Sequence, residues 1–178
     1  MSTASSYPAP RPPTGTTTTP YDVGLPLLRL VLGLTMAVHG AQKLFGWFDG
    51  PGITSTGMFL EKAGYPAGTA MAVIAGLSEM LGGLGVLFGL LTPLAAAAIV
   101  GVMINAIAVK WAGDLIGQQG IEYEVLLVAS AATLAITGPG RFSVDHFIPV
   151  LRVHRVLYGV AALGLGVLLA FLVLLIKD

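Results

Sequence analysis

The stretch GTAMAVIAGLSEMLGGLGVLFGLL, residues 68–91, decides the fold. It carries one ionisable side chain, Glu79, and no proline. About 20 mostly apolar residues suffice for a helix to cross a bilayer, and this stretch has them. A charged side chain at the centre of such a helix costs roughly 2.5–3.5 kcal/mol on insertion scales, so Glu79 needs a reason. Gly76 and Gly83 stand at i−3 and i+4 from it, and small residues there let a second helix approach closely. Gly85 and Gly89 add a GxxxG pair.

Four further stretches qualify on the same criterion: about Leu25 to Gly46, Pro93 to Ala112, Tyr123 to Thr137 and Leu157 to Ile176. The stretch from Tyr123 is short but can extend a turn either way. The whole chain agrees with a membrane reading. Its 178 residues are 55% hydrophobic and 10% charged, with a mean hydropathy of +0.85, against roughly 25% charged in soluble domains. The expected fold class is all-α, a polytopic membrane helix bundle of five spans. A formal net charge of zero offers no basic surface for nucleic acid. The absence of cysteine excludes disulfides, thiol nucleophiles, Cys-based zinc or iron–sulfur sites and c-type haem. No metal site is read, and haem b is disfavoured because His39 is the only histidine at membrane depth.

Residues 1–20 stand apart. Fourteen of them are Ser, Thr or Pro, a composition that cannot bury enough apolar surface to offset ordering. They read as a disordered tail rather than a signal peptide, because the apolar run after them exceeds signal-peptide length. Residues 21–147 then form the membrane core and 148–178 an additional C-terminal span. In the long first connection, residues 47–67, Ser55 or Thr56 can cap a short interfacial or re-entrant helix through Met58–Ala63, ended by Gly64 and Pro66. Phe59, Leu60 and Ala63 share one face of it. Pro149 suits the first turn of the last helix, with Arg152 and Arg155 as headgroup anchors.

Lys/Arg placement gives an orientation. Arg141, Arg152 and Arg155 lie between the fourth and fifth spans, while Asp114, Glu122 and Glu124 lie between the third and fourth. The N-terminus is then cytoplasmic and the C-terminus external. Trp47, Tyr65, Trp111 and Tyr123 fall at outer span ends as an aromatic belt.

The candidate chemistry sits on the first two spans. At 100° per residue, Lys43 lies about 40° and His39 about 80° behind Arg29 on the helical wheel, with Gly33 and Gly40 close by. Spans one and two are therefore expected to pack with Glu79 facing His39, Arg29 or Lys43. The bland alternative for Arg29 and Lys43 is snorkelling to the interface, and Lys110 beside Trp111 reads the same way. Asn105 in the third span is read as a cross-helix hydrogen-bonding group. In Gly138-Pro-Gly-Arg-Phe-Ser-Val-Asp145 the glycines, Gly138 and Gly140, allow a sharp helix exit. Ser143 can cap a following short helix, Asp145 lies in its first turn, and Arg141 serves as an anchor.

These segments together identify a likeness. HGxxKLFG (His39 to Gly46), FLEKAGYP (Phe59 to Pro66), SEMLGGLGVLFGLLTP (Ser78 to Pro93) and GPGRFSVD (Gly138 to Asp145) resemble, in order and spacing, the DoxX family of small bacterial membrane proteins over residues 25–147. The resemblance implies a four-helix membrane core in a bacterial cytoplasmic membrane, to which the fifth span is an addition. It matches His39, Lys43, Glu79, Arg141, Ser143 and Asp145 to family positions and assigns none of them a catalytic role. It also implies redox or sulfur metabolism and oxidative-stress resistance. The family includes, or is similar to, the membrane subunit of a thiosulfate:quinone oxidoreductase, and it includes a mycobacterial protein of a membrane oxidoreductase complex with a superoxide dismutase and a thiosulfate sulfurtransferase.

Three functions follow as expectations. The first is a membrane subunit of an oxidoreductase complex that binds quinone beside His39 and Glu79, where a donor and a proton carrier stand in an apolar groove. The second is a non-catalytic scaffold recruiting soluble redox enzymes, such as superoxide dismutase or sulfurtransferase, to the 141–155 segment. The third is a small transporter using the charged face of span one. Homo-oligomerisation is left open, and no cofactor beyond quinone is suggested.

Overall fold

The computed structural model describes residues 18–111, 114–117 and 120–177. Most of the tail expected over 1–20, and Ala112 at the end of the third span, lie outside the described residues. Every described element is helical: α1 (Pro20–Phe45), α2 (Gly52–Lys62), α3 (Gly68–Phe88), α4 (Thr92–Lys110), α5 (Glu122–Thr137), α6 (Val144–Phe147) and α7 (Val156–Leu175). The all-α bundle read from the sequence is the fold. Leu30, Leu81, Leu126 and Leu169 are exposed on its outside, a distribution that suits hydrocarbon rather than water.

α1 and α3 form the closest pair, and glycines make it so. A methyl group at Gly33 would lie 2.7 Å from the Gly83 carbonyl, and one at Gly40 would lie 2.6 Å from the Gly76 carbonyl. Both contacts are with backbone, so the two helices touch along the small-residue faces predicted for them. Around this seam Leu32, Met36, Val86, Ile99, Val100 and Leu134 build a core shared by α1, α3, α4 and α5. α7 seals against α4, where a methyl group at Gly101 would lie 3.1 Å from the Gly166 carbonyl.

Four helices, α1, α3, α4 and α7, are long and apolar enough to cross a membrane. α5 has 16 residues and covers about 24 Å at 1.5 Å per residue; the extra turn expected at either end is not made. Its first turn and the short α6 that follows it nonetheless meet the two ends of α4. Lys110, the last residue of α4, binds Glu124 in the first turn of α5 at 2.6 Å. Asp145, just beyond α5, binds Thr92 at the start of α4. α5 therefore returns through the same layer that α4 crosses.

Several boundaries differ from expectation. α3 ends at Phe88, and Gly89 is its left-handed C-cap at φ 65° rather than one half of a GxxxG face. α2 starts at Gly52, so Ser55 and Thr56 lie inside it. Thr56 donates to the Gly52 carbonyl at 2.7 Å instead of capping. α7 starts at Val156, not at Pro149, which lies in the turn after α6. Arg152 and Arg155 thus precede the last helix.

Candidate functional site

α1 delivers two basic groups to different depths. Lys43, in its last turn, places its Nζ 2.6 Å from Glu79 Oε2. Glu79 is 2% exposed, and Lys43 supplies the countercharge expected from the neighbouring span. Arg29 does not meet Glu79. It lies 14 residues earlier on α1, about 21 Å away along the axis, a separation that a helical wheel does not display. Nor does it snorkel, being 3% exposed. Its Nε donates to the Val86 carbonyl at 2.9 Å, and its Nη2 donates to Leu87 at 2.8 Å. Its Nη1 donates to Pro139 at 2.9 Å and to Phe142 at 2.6 Å. Arg29 binds carbonyls at the C-terminus of α3, one of which (Val86) also accepts from the Gly89 amide, and ties them to the loop after α5, a structural task.

The GPGRFSVD loop completes that end of the bundle. Ser143 caps α6 by accepting from the His146 amide at 3.3 Å, as expected. Asp145 does more than favour a helix terminus. Its carboxylate accepts from the Leu91 and Thr92 amides at 2.7 and 3.0 Å and from the Thr92 hydroxyl at 3.0 Å, capping α4 from 53 residues away. Arg141 is half exposed and lies 3.5 Å from Asp22. Gly138 and Gly140 hold φ of 81° and 79°, which favours glycine. These residues stand apart from the cavity described next.

At the other end a cavity of about 720 Å³ opens among α1 to α5 and α7. His39, Lys43, Glu79, Tyr123, Lys110 and Glu124 supply its charged and polar lining, while Ala97, Ala98, Val102, Leu165, Leu169 and Val173 belong to its apolar wall. His39 stacks edge-on against Tyr123 with ring centroids 5.9 Å apart. Asn105 also lines the cavity. Its side-chain oxygen accepts from the Tyr65 hydroxyl at 3.0 Å, and its amide donates to Gly101 and Ala170 carbonyls. That is the cross-helix role read from the sequence. A smaller recess of about 460 Å³ adjoins this end, lined by Gln42, Pro51 and Ser55 and sharing His39, Lys43, Thr56 and Phe59 with the main cavity.

Of the sequence candidates, the cavity thus gathers His39, Lys43, Glu79 and Asn105 and leaves out Arg29 and the GPGRFSVD residues. Three residues acquire roles the sequence reading missed. Glu124, read as a loop charge, is 5% exposed. Lys110, read as snorkelling, is its partner. Tyr65, assigned to an aromatic belt, is 4% exposed. Burial raises the Tyr65 hydroxyl above the usual phenol value, and the hydroxyl donates to Asn105. Trp47, Trp111 and Tyr123 are exposed as a belt requires.

The sequence profile of the family described as DoxX matches residues 24–111. A Bacillus subtilis (strain 168) protein described as putative oxidoreductase CatD is 30% identical over 129 residues, covering 72% of this chain and 89% of the relative. Membrane protein Rv3486 of Mycobacterium tuberculosis (H37Rv) is 32% identical over 131 residues, covering 67% and 77% respectively. No solved structure matches. The profile match runs from α1 through α4 and stops before the helix that carries Tyr123 and Glu124.

Proposed function

Since the chain belongs to the DoxX family of membrane proteins, we propose that it is a membrane subunit of an oxidoreductase and that its cavity binds a quinone. One observation carries this reading. A void of about 720 Å³ combines an apolar wall with a cluster of ionisable groups that includes two buried carboxylates, Glu79 and Glu124. Ligand pockets fall in this size range and pair apolar walls with a few placed polar groups. A quinone has the matching chemistry, with carbonyl acceptors on its ring and an apolar tail. Lys43 and Lys110 are cationic donors for the carbonyls, and His39 can donate from a ring nitrogen. The Leu165, Leu169 and Val173 face of α7 would lie along the tail. Reduction of a quinone consumes protons, and Glu79 with His39 can hold and pass them. The printed description of the Bacillus relative, putative oxidoreductase, supports the same class.

The test is a titration of the protein in lipid nanodiscs with a decyl-tailed benzoquinone. Saturable binding is expected, with decyl alcohol failing to compete. Glu79→Gln and Lys43→Met should each weaken it about ten-fold, the scale of one charge-assisted hydrogen bond. Non-saturable partitioning, identical for both variants, would overturn the reading.

A further inference from the structure

The second ion pair of the cavity does not explain itself. Glu124 Oε1 takes the Lys110 ammonium at 2.6 Å. Glu124 Oε2 is buried and has no hydrogen-bond partner, alone in this among buried side-chain nitrogens and oxygens of the described residues. A buried acceptor left unmet is costly, and more so on a charged group. Buried side-chain polar atoms are in the large majority hydrogen-bonded to protein or ordered water. This carboxylate instead lines the cavity beside Tyr123 and Lys110. The free oxygen can only accept, because an ionised carboxylate carries no proton to give. A ligand that meets it must therefore bring a donor.

We infer that the Lys110–Glu124 pair is a recognition point for a hydroxyl on the ligand head group, and that the cavity binds the reduced, dihydroxy form of a quinone more tightly than any form lacking the hydroxyl. The inference rests on the quinone reading and names the redox form the site prefers. A quinone carbonyl facing Glu124 Oε2 sets acceptor against acceptor. A quinol hydroxyl there donates to Oε2, and its oxygen can accept from the Lys110 ammonium. The same head group keeps its second hydroxyl for the Glu79 and His39 side of the cavity.

Three ligands of one shape separate these statements: a decyl-tailed hydroquinone, the corresponding benzoquinone and the hydroquinone dimethyl ether. They are titrated anaerobically into the nanodisc-embedded full chain. The hydroquinone should bind at least about ten-fold more tightly than the dimethyl ether, as expected for a hydrogen bond to a charged acceptor. In Glu124→Gln, whose amide both donates and accepts, that advantage should fall below about three-fold while the benzoquinone binds as well as before or better. The comparison on the unaltered chain does not depend on the variant folding. Benzoquinone binding with no preference for hydroquinone over its ether would overturn this inference and leave the quinone reading standing. Saturable binding of none of the three would overturn both.

Discussion

Arg29 and Arg141 show how little a residue's charge says about its weight. Arg29 makes four hydrogen bonds, two to carbonyls at the end of α3 and two to carbonyls of the loop after α5, and Arg141 makes one 3.5 Å contact to Asp22 with its side chain 53% exposed. Unmet buried acceptors cost about 1–3 kcal/mol each and do not add simply. Arg29→Met should therefore destabilise the bundle by on the order of 3–5 kcal/mol, a fall of roughly 10 °C in detergent melting temperature. Arg141→Gln should cost less than about 1 kcal/mol. Equal melting curves for the two variants would count against the α3 clamp. The sequence left His39, Arg29 and Lys43 open as partners of Glu79 on one face of α1; Arg29 is excluded by depth, which a helical wheel does not record. That span one would bring a basic group to Glu79 was legible, because both stand on facing small-residue surfaces of consecutive spans; which of His39, Arg29 and Lys43 it would be was not. The partners of Asp145, Glu124 and Tyr65 were not legible either, since no small-residue face or helical-wheel pattern links the segments that carry them.

At the level of elements, packing in this molecule depends on where a side chain is missing. A methyl group at Gly83 would collide with backbone atoms of Ala37, Gly33 and Met36 at once, and backbone on a neighbouring helix cannot move aside cheaply. At Gly164 on α7 nothing lies within 4 Å. Gly83→Val should therefore separate α1 from α3 and disturb the Lys43–Glu79 contact, with a loss of monodisperse protein in detergent. Gly164→Ala should be neutral or stabilising by up to about 1 kcal/mol through helix propensity. Chromatographic profiles and melting curves of both variants check this, and a well-behaved Gly83→Val would deny the seam its role. The GxxxG pair at Gly85 and Gly89 misled for a related reason. Glycine serves both close approach and helix termination, and at Gly89 the left-handed cap uses the second property.

For the whole molecule, the direction of each crossing follows from which ends meet. α4 starts at Asp145 and finishes at Glu124, and α5 runs back between the same two partners. Composition established the class and found five stretches, yet length alone credits four, because α5 is shorter than a free-standing span. It is held in the layer by neighbours on both sides: its Leu127, Ala131 and Leu134 are buried in the shared core. Five crossings would put the α1–α3 connection and the α5–α7 connection on opposite faces, and the Lys/Arg distribution leads us to expect the latter in the cytoplasm. On that expectation the cavity with its two ion pairs would lie toward the outer leaflet. The absence of cysteine from the chain makes the test direct. Lys62→Cys, exposed at the end of α2, should react with a membrane-impermeant maleimide in intact cells. Arg152→Cys, exposed in the turn before α7, should react only after lysis. The reversed pattern would invert the orientation while keeping five crossings. Labelling of both positions from one side would mean that α5 does not cross.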